Sequence, residues 1–179
     1  MSKLRKITNF HATVSIEVAY PRALDRLEQT IEAISSIFAR LLGEKKLKGL
    51  EHCSGDISQY FLNLCIVGEE RIRTLNKDYR QRDKVTDVLS FPVHDDLRKS
   101  VDKNVVSLGE VLLGDIFVCI EVAERQASES NIDLITEISE LYIHGVLHLL
   151  GFDHEISENE KNLMYQLEEE IFNQYRKIQ

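Results

Sequence analysis

The chain has 179 residues, 43% of them hydrophobic and 29% charged, with a formal net charge of −8. That length suits a single domain around one sizeable core, taken to span residues 1–179. The composition excludes a disordered or fibrous chain, and the acidic balance argues against a protein that coats nucleic acid by bulk electrostatics.

The opening stretch, "MSKLRKITNFHATVSIEVAY", carries basic residues but lacks the apolar core of a signal peptide. No apolar run approaches the ~20 residues of a membrane span. A cytoplasmic protein with no membrane contact is therefore expected. Cys53, Cys65 and Cys119 are odd in number and form no C-x-x-C pair. Neither disulfides nor a cysteine zinc knuckle is expected.

Residues 12–19, "ATVSIEVA", alternate and predict a strand. Pro21 then opens a helix to about Leu42, with Leu24, Leu27, Ile31, Ile34, Phe38 and Leu41 at helical spacing and Gly43 at its end. "KGLEHCSGDIS" reads as a polar loop, "QYFLNLCIVG" as a strand and "EERIRTLNKDYR" as a short helix. "VTDVLSFPV" reads as a strand ended near Pro92. "HDDLRKSVDKN" is polar and expected to be an exposed loop. "EVLLGDIFVCI" reads as a buried strand with Gly114 marking a bulge. Helices are expected over 120–130, from about Leu134 to Leu150, and from about Ser157 to Arg176. This order predicts an α/β (α+β) layered domain, a small mixed sheet covered by about five helices. The strands flanking the long polar loop are placed to pair antiparallel.

"HGVLHLLGFDH", residues 144–154, holds three of the six histidines. His144 and His148, four residues apart on the predicted helix, share one face with Cβ atoms about 5–6 Å apart. That spacing lets two imidazoles converge on one ion at about 2.0–2.1 Å. Gly151 suits a left-handed helix end, after which the chain can turn back and bring His154 to a third corner. On the helical wheel His144 and His148 fall at the edge of an apolar stripe, on the side of Glu137 and Glu140. A metal site is thus expected at the end of a central helix. Three protein ligands leave zinc's fourth position to water, so a hydrolytic zinc ion, one per chain, is favoured over a structural one. Imidazoles also suit other divalent transition metals.

The spacing is that of the metzincin proteases, H-E-x-x-H-x-x-G-x-x-H. The position of their general base is here Gly145, which carries no proton. The ligand cage is present and the peptidase base is absent.

"HGVLHLLGFDH" resembles the YbeY family of bacterial endoribonucleases, with its H-G-x-L-H-L-x-G-[YF]-D-H motif. "LNKDYRQRDKVTDVLSFP", residues 75–92, and "LGDI", residues 113–116, are similar to two further segments of that family. The likeness covers roughly residues 60–155, with Phe152 where tyrosine is frequent, and no motif matches around residues 44–58. The resemblance implies a single-strand-specific, metal-dependent endoribonuclease that matures the 3′ end of small-subunit ribosomal RNA and acts in ribosome quality control. It implies zinc on His144, His148 and His154, a functional arginine at Arg80, and ribosomal proteins or an assembly GTPase as partners.

The residues support an RNA substrate on separate grounds. Phosphodiester cleavage gathers negative charge, which an arginine fork can clamp. Arg71, Arg73, Lys77, Arg80, Arg82 and Lys84 crowd one stretch of an acidic chain. Arg80 is the expected catalytic residue and the other five are candidates for RNA contact. Arg71, Arg73 and Lys77 equally suit a solvated helix face balanced by Glu69, Glu70 and Asp78. Tyr79 offers a ring on which a base can stack, with core packing the favoured expectation. Asp153 is a candidate for orienting a histidine, for capping, or for acting as a base. The rival readings are a metallopeptidase and a non-enzymatic ribosome-associated factor with a structural metal.

Overall fold

The structure, a computed structural model, describes residues 3–8, 12–18, 24–44, 47–48, 59–98 and 110–178. The predicted helix start at Pro21, most of the loop over 48–58 and the loop segment 99–104 lie outside these residues.

In chain order the elements are β1 (Lys3–Thr8), β2 (Ala12–Val18), α1 (Leu24–Gly43), β3 (Gln59–Val67), α2 (Glu69–Arg80), β4 (Val88–Pro92), β5 (Glu110–Cys119), α3 (Ile120–Ser130), α4 (Leu134–Leu149) and α5 (Glu158–Arg176). The strands form a mixed sheet in the order β1-β2-β3-β5-β4. β2, β3 and β5 run parallel, while β1 and β4 are antiparallel to their neighbours. The antiparallel pairing of the strands on either side of the polar loop is as expected.

Alternation decides which face is buried. Ala12, Val14 and Ile16 of β2, and Tyr60, Leu62, Leu64 and Ile66 of β3, enter one core with α1, α4 and α5. The opposite face of β4 and β5 meets α2 and α3 in a smaller cluster built on Ile72, Leu75, Leu89, Cys119 and Val122. Gly114 makes the bulge: the register slips between Phe61↔Leu112 and Leu62↔Gly114, so Leu113 is extra. Its φ of 139° and a Cβ position 2.1 Å from the Phe91 carbonyl oxygen leave room for glycine alone.

Three expectations are corrected. β1 was not anticipated; "KLRKIT" is basic and poorly alternating, and it is a strand because it pairs along the edge of β2. The start of the polar loop is only partly exposed. Leu97 is buried and the Arg98 guanidinium bridges Asp96 (3.0 Å) and Glu160 (2.5 Å) over the ring of Phe152. Finally, α4 is buried well beyond the expected stripe. Ile143, Val146 and Leu147 are inside too, because the helix packs on the sheet, α1, α3 and α5 together.

Gly145 belongs to that packing. A Cβ there would meet two atoms of Ile116 at 2.9 Å, so this position faces the sheet and not the solvent side of α4. Gly145→Glu, which restores the metzincin sequence, would drive a carboxylate into the core. A stability loss of more than about 3 kcal/mol is expected by chemical denaturation, without any gain of peptidase activity. A stable variant that cleaves casein would contradict this placement.

Candidate metal centre and cleft

The helix carrying the histidines begins at Asp133, whose side chain accepts from the amides of Ile135 and Thr136. It ends in a Schellman motif. The Gly151 amide donates to the His148 carbonyl (3.0 Å) and the Phe152 amide to the Leu147 carbonyl (3.1 Å). Gly151, with φ 100°, takes the left-handed position, and a Cβ there would lie 2.5 Å from Asp96 Oδ1. Phe152 is fully buried as the apolar plug of the turn, so a phenol would put its hydroxyl near the core. The reversal returns His154 to the helix face.

The three imidazoles converge. His144, His148 and His154 each bring a ring nitrogen within 4.8 Å of the others, and each is half-buried. Their ring centroids lie 4.5, 5.3 and 5.2 Å apart. His144 Nε2 and His148 Nε2 stand 3.0 Å apart, close to the roughly 3.3 Å between two nitrogens on a tetrahedral ion with bonds of about 2.0–2.1 Å. His144 Nδ1 lies 2.7 Å from Glu168 Oε1, which fixes the proton on Nδ1 and leaves the Nε2 lone pair facing the cluster. Burial pushes the His148 pKa down to about 4, helped by His144 and His154, while Asp153 and the Phe152 backbone pull the other way. Two imidazole nitrogens turned towards each other, one ring braced by a carboxylate, suit a transition-metal ion.

Glu168 is not legible as a site residue in the sequence. It follows His144 by 24 residues, in an acidic run of α5 that reads as a solvated face. Only its place beside the buried Leu167 and Ile171 hints that it lies at a core edge. Glu168→Gln keeps the shape and removes the charge. A ten- to hundredfold loss of metal affinity is expected in chelator competition; unchanged affinity would mean that the carboxylate does not support the ligand.

Two clefts meet at the histidines. One, of about 500 Å³, is lined by Arg80, Arg82, Asp87, Ser90 and Asp153 with all three histidines. Arg80 closes α2, and the turn beyond it has Gln81 in the left-handed conformation (φ 58°). The Arg82 amide donates to the Asn76 carbonyl (3.2 Å) and Asn76 Nδ2 to the Lys84 carbonyl (2.8 Å), so buried Asn76 anchors this basic turn. Arg80 and Arg82 have exposed side chains and no ion-pair partner among the described residues.

The other basic residues lie elsewhere. Arg73 and Lys77 are tied to Asp83 at 2.7 and 2.8 Å and line a separate groove. Those two bonds hold the Asp83 carboxyl below its usual range. Arg71 and Lys84 are exposed and do not line the cleft. Asp153 accepts from the Glu155 amide (2.8 Å), capping the turn around His154. Tyr79 is 70% exposed, not core, with one edge contact to Phe91. Ser90, which was not anticipated, places a buried hydroxyl in the cleft without a hydrogen-bond partner among the described residues.

The second cleft, of about 670 Å³, shares Asp87, Val88, His144 and His154 with the first and is acidic. Burial, with Glu140 and Asp87 nearby, raises the Glu137 carboxyl pKa. Asp87 is also part-buried, yet bonds from Gln126, the Val88 amide and Thr86 hold its pKa below the usual value.

An α/β sheet protein with a half-buried three-histidine site, open to a cleft edged by two exposed arginines, is a candidate metallohydrolase for an anionic substrate. Residues 24–176 match the family model described as endoribonuclease YbeY, and the chain belongs to that family. Relatives named "Endoribonuclease YbeY" include one from Sulfurihydrogenibium sp. (strain YO3AOP1), 34% identical over 81% of this chain and 83% of that protein. Another, from Persephonella marina (strain DSM 14350 / EX-H1), is 36% identical over 79% and 86%. One from Clostridium botulinum (strain Loch Maree / Type A3) is 40% identical over 65% and 75%. The solution structure of TM1509 from Thermotoga maritima shares the fold, with a TM-score of 0.54 and 24% identity over 92% of each chain. No helix among the described residues is long and apolar enough to cross a membrane.

Proposed function

We propose that this protein is a single-strand-specific, zinc-dependent endoribonuclease that matures the 3′ end of small-subunit ribosomal RNA and acts in ribosome quality control. The observation that carries the reading is one cleft that joins the three histidines to Arg80 and Arg82. Family membership supplies the reaction class.

In this reading His144, His148 and His154 hold the zinc. When bound, the ion supplies Lewis acidity towards a phosphoryl oxygen and lowers the pKa of water. Arg80 clamps the non-bridging oxygens of the scissile phosphate and stabilises their growing charge, with Arg82 beside it. Glu168 holds the His144 ring through Nδ1. Asp153 positions the turn that carries His154. Arg71, Arg73, Lys77 and Lys84 stand further out, where they would steer the strand. The whole chain, 1–179, works as one domain in the cytoplasm, and its acidic remainder is free to meet ribosomal proteins or an assembly GTPase.

The test is cleavage of an end-labelled ribosomal 3′ extension, single-stranded and as a duplex with its complement. Cleavage of the single strand alone is expected. Equal cleavage of both would contradict single-strand specificity, and binding without cleavage would favour an assembly factor.

A further inference from the structure

The acidic cleft has no role in clamping a phosphate. Its wall sets Asp87, Glu137, Glu140, Glu168 and Glu169 against a single arginine, Arg176, a balance that repels phosphate, yet it opens onto the same histidines. Glu137 lies in that wall, only 8% exposed, and its carboxylate makes no hydrogen bond or ion pair among the described residues. Gln126 lines the cleft with its Nε2 given to Asp87 Oδ2 (3.1 Å) and its Oε1 buried without a partner. A buried acceptor without a donor, as Gln126 Oε1 is, is costly, and the Glu137 carboxylate beside it offers further acceptors to the cleft. The cavity therefore asks for an occupant that brings N–H groups.

A bare metal ion fits poorly. Among the described residues, the three histidines form the sole group of three or more metal-ligand side chains whose donor atoms all lie within 4.8 Å of one another, so no three of these carboxylates converge. The rest of the wall mixes apolar and aromatic side chains, Val88, Leu141, Phe172 and Tyr165 (52% exposed), with one guanidinium, that of Arg176, which stacks on the Phe172 ring at 4.3 Å. Donor-hungry oxygens beside aromatic faces suit a planar ring with N–H groups along one edge.

We propose that this cleft is a nucleobase pocket that selects guanine in the nucleotide flanking the scissile phosphate. Guanine presents N1–H and the N2 amino group in parallel, a pair that both oxygens of the Glu137 carboxylate can accept. Uracil offers one N–H between two carbonyls, which would face the carboxylates. Glu137 and His144 are seven residues apart on one face of α4, about 10 Å along its axis. The base held by Glu137 thus belongs to a neighbour of the nucleotide at the metal. Tyr165 supplies a stacking surface. The inference rests on the endoribonuclease reading for its substrate, but its test does not depend on turnover.

The test is a ligand-observed NMR titration of the full-length zinc-loaded protein with guanosine and with uridine. Neither carries a phosphate, so the arginine cleft contributes nothing. Guanosine is expected to bind at least about tenfold tighter than uridine. Glu137→Gln should erase that preference, and Tyr165→Ala should weaken guanosine about tenfold. Equal binding of the two nucleosides, or a preference that survives in folded Glu137→Gln, would overturn the pocket. Should Glu137→Gln not fold, unchanged guanosine binding by Tyr165→Ala would overturn it. RNA cleavage by a protein that binds both nucleosides alike would reject the pocket and keep the nuclease. Guanosine selection without RNA cleavage would keep the pocket and reject the nuclease.

Discussion

His148→Ala is expected to release the metal and abolish RNA cleavage while the domain stays folded. His148 lies between its partners, with Nε2 3.0 Å from that of His144 and its ring centroid 5.2 Å from that of His154. Burial holds it neutral, with a pKa of about 4, so at pH 7 its lone pair is free to bind. Loss of an outer carboxylate from a metal-bound histidine costs roughly ten- to hundredfold in affinity. Loss of one of three ligands should exceed about a hundredfold, leaving the protein metal-free after dialysis against chelator. The core around α4 contains Val146, Leu147 and Leu149, which the substitution does not touch. Circular dichroism should therefore show the native helices. Stoichiometric metal in this variant would contradict the three-histidine site.

Arg80→Ala is the second large effect, and it separates the anion clamp from the metal. Arg80 has no ion pair among the described residues, so its removal strands no buried partner. Folding and metal content should be unchanged. Turnover of single-stranded RNA should fall about 10²- to 10³-fold, the scale seen when one donor to a transition-state oxyanion is removed. The loss should appear in kcat more than in KM, because the charge that the fork meets grows as the reaction proceeds. Arg80→Lys should recover little, since an ammonium lacks the planar bidentate fork. A variant that loses metal would instead make Arg80 structural.

Much of this site was readable because its geometry is local. A four-residue step on a helix, a glycine three residues on and a histidine three beyond that define a cage that neighbouring backbone alone can build. Gly151 does adopt the left-handed turn, and Gly114 does mark the bulge. The bulge matters because a side chain at 114 would collide with the Phe91 carbonyl of β4.

What escaped was set by distant partners. Glu168 reaches His144 only because α5 folds back along α4, and nothing in "LEEE" specifies which glutamate turns inward. β1 draws its ladder from β2. Leu97 and Arg98 are ordered by the turn at Phe152 and by Glu160, not by their own polar surroundings. The basic stretch was legible as a patch but not as two faces. Asp83 draws Arg73 and Lys77 to one side, and the turn anchored on Asn76 sends Arg80 and Arg82 to the other. Tyr79 lies outside the core because α2 meets the sheet through Ile72 and Leu75.

The most direct measurement is cleavage of an end-labelled RNA with a single-stranded ribosomal 3′ extension, with four samples side by side: the protein as purified, stripped of metal, reloaded with zinc, and as His148→Ala. Cleavage that vanishes on stripping, returns with zinc and is absent from the variant is the predicted result. Equal cleavage in all four would contradict a metal-dependent nuclease at this site and point to a contaminating enzyme.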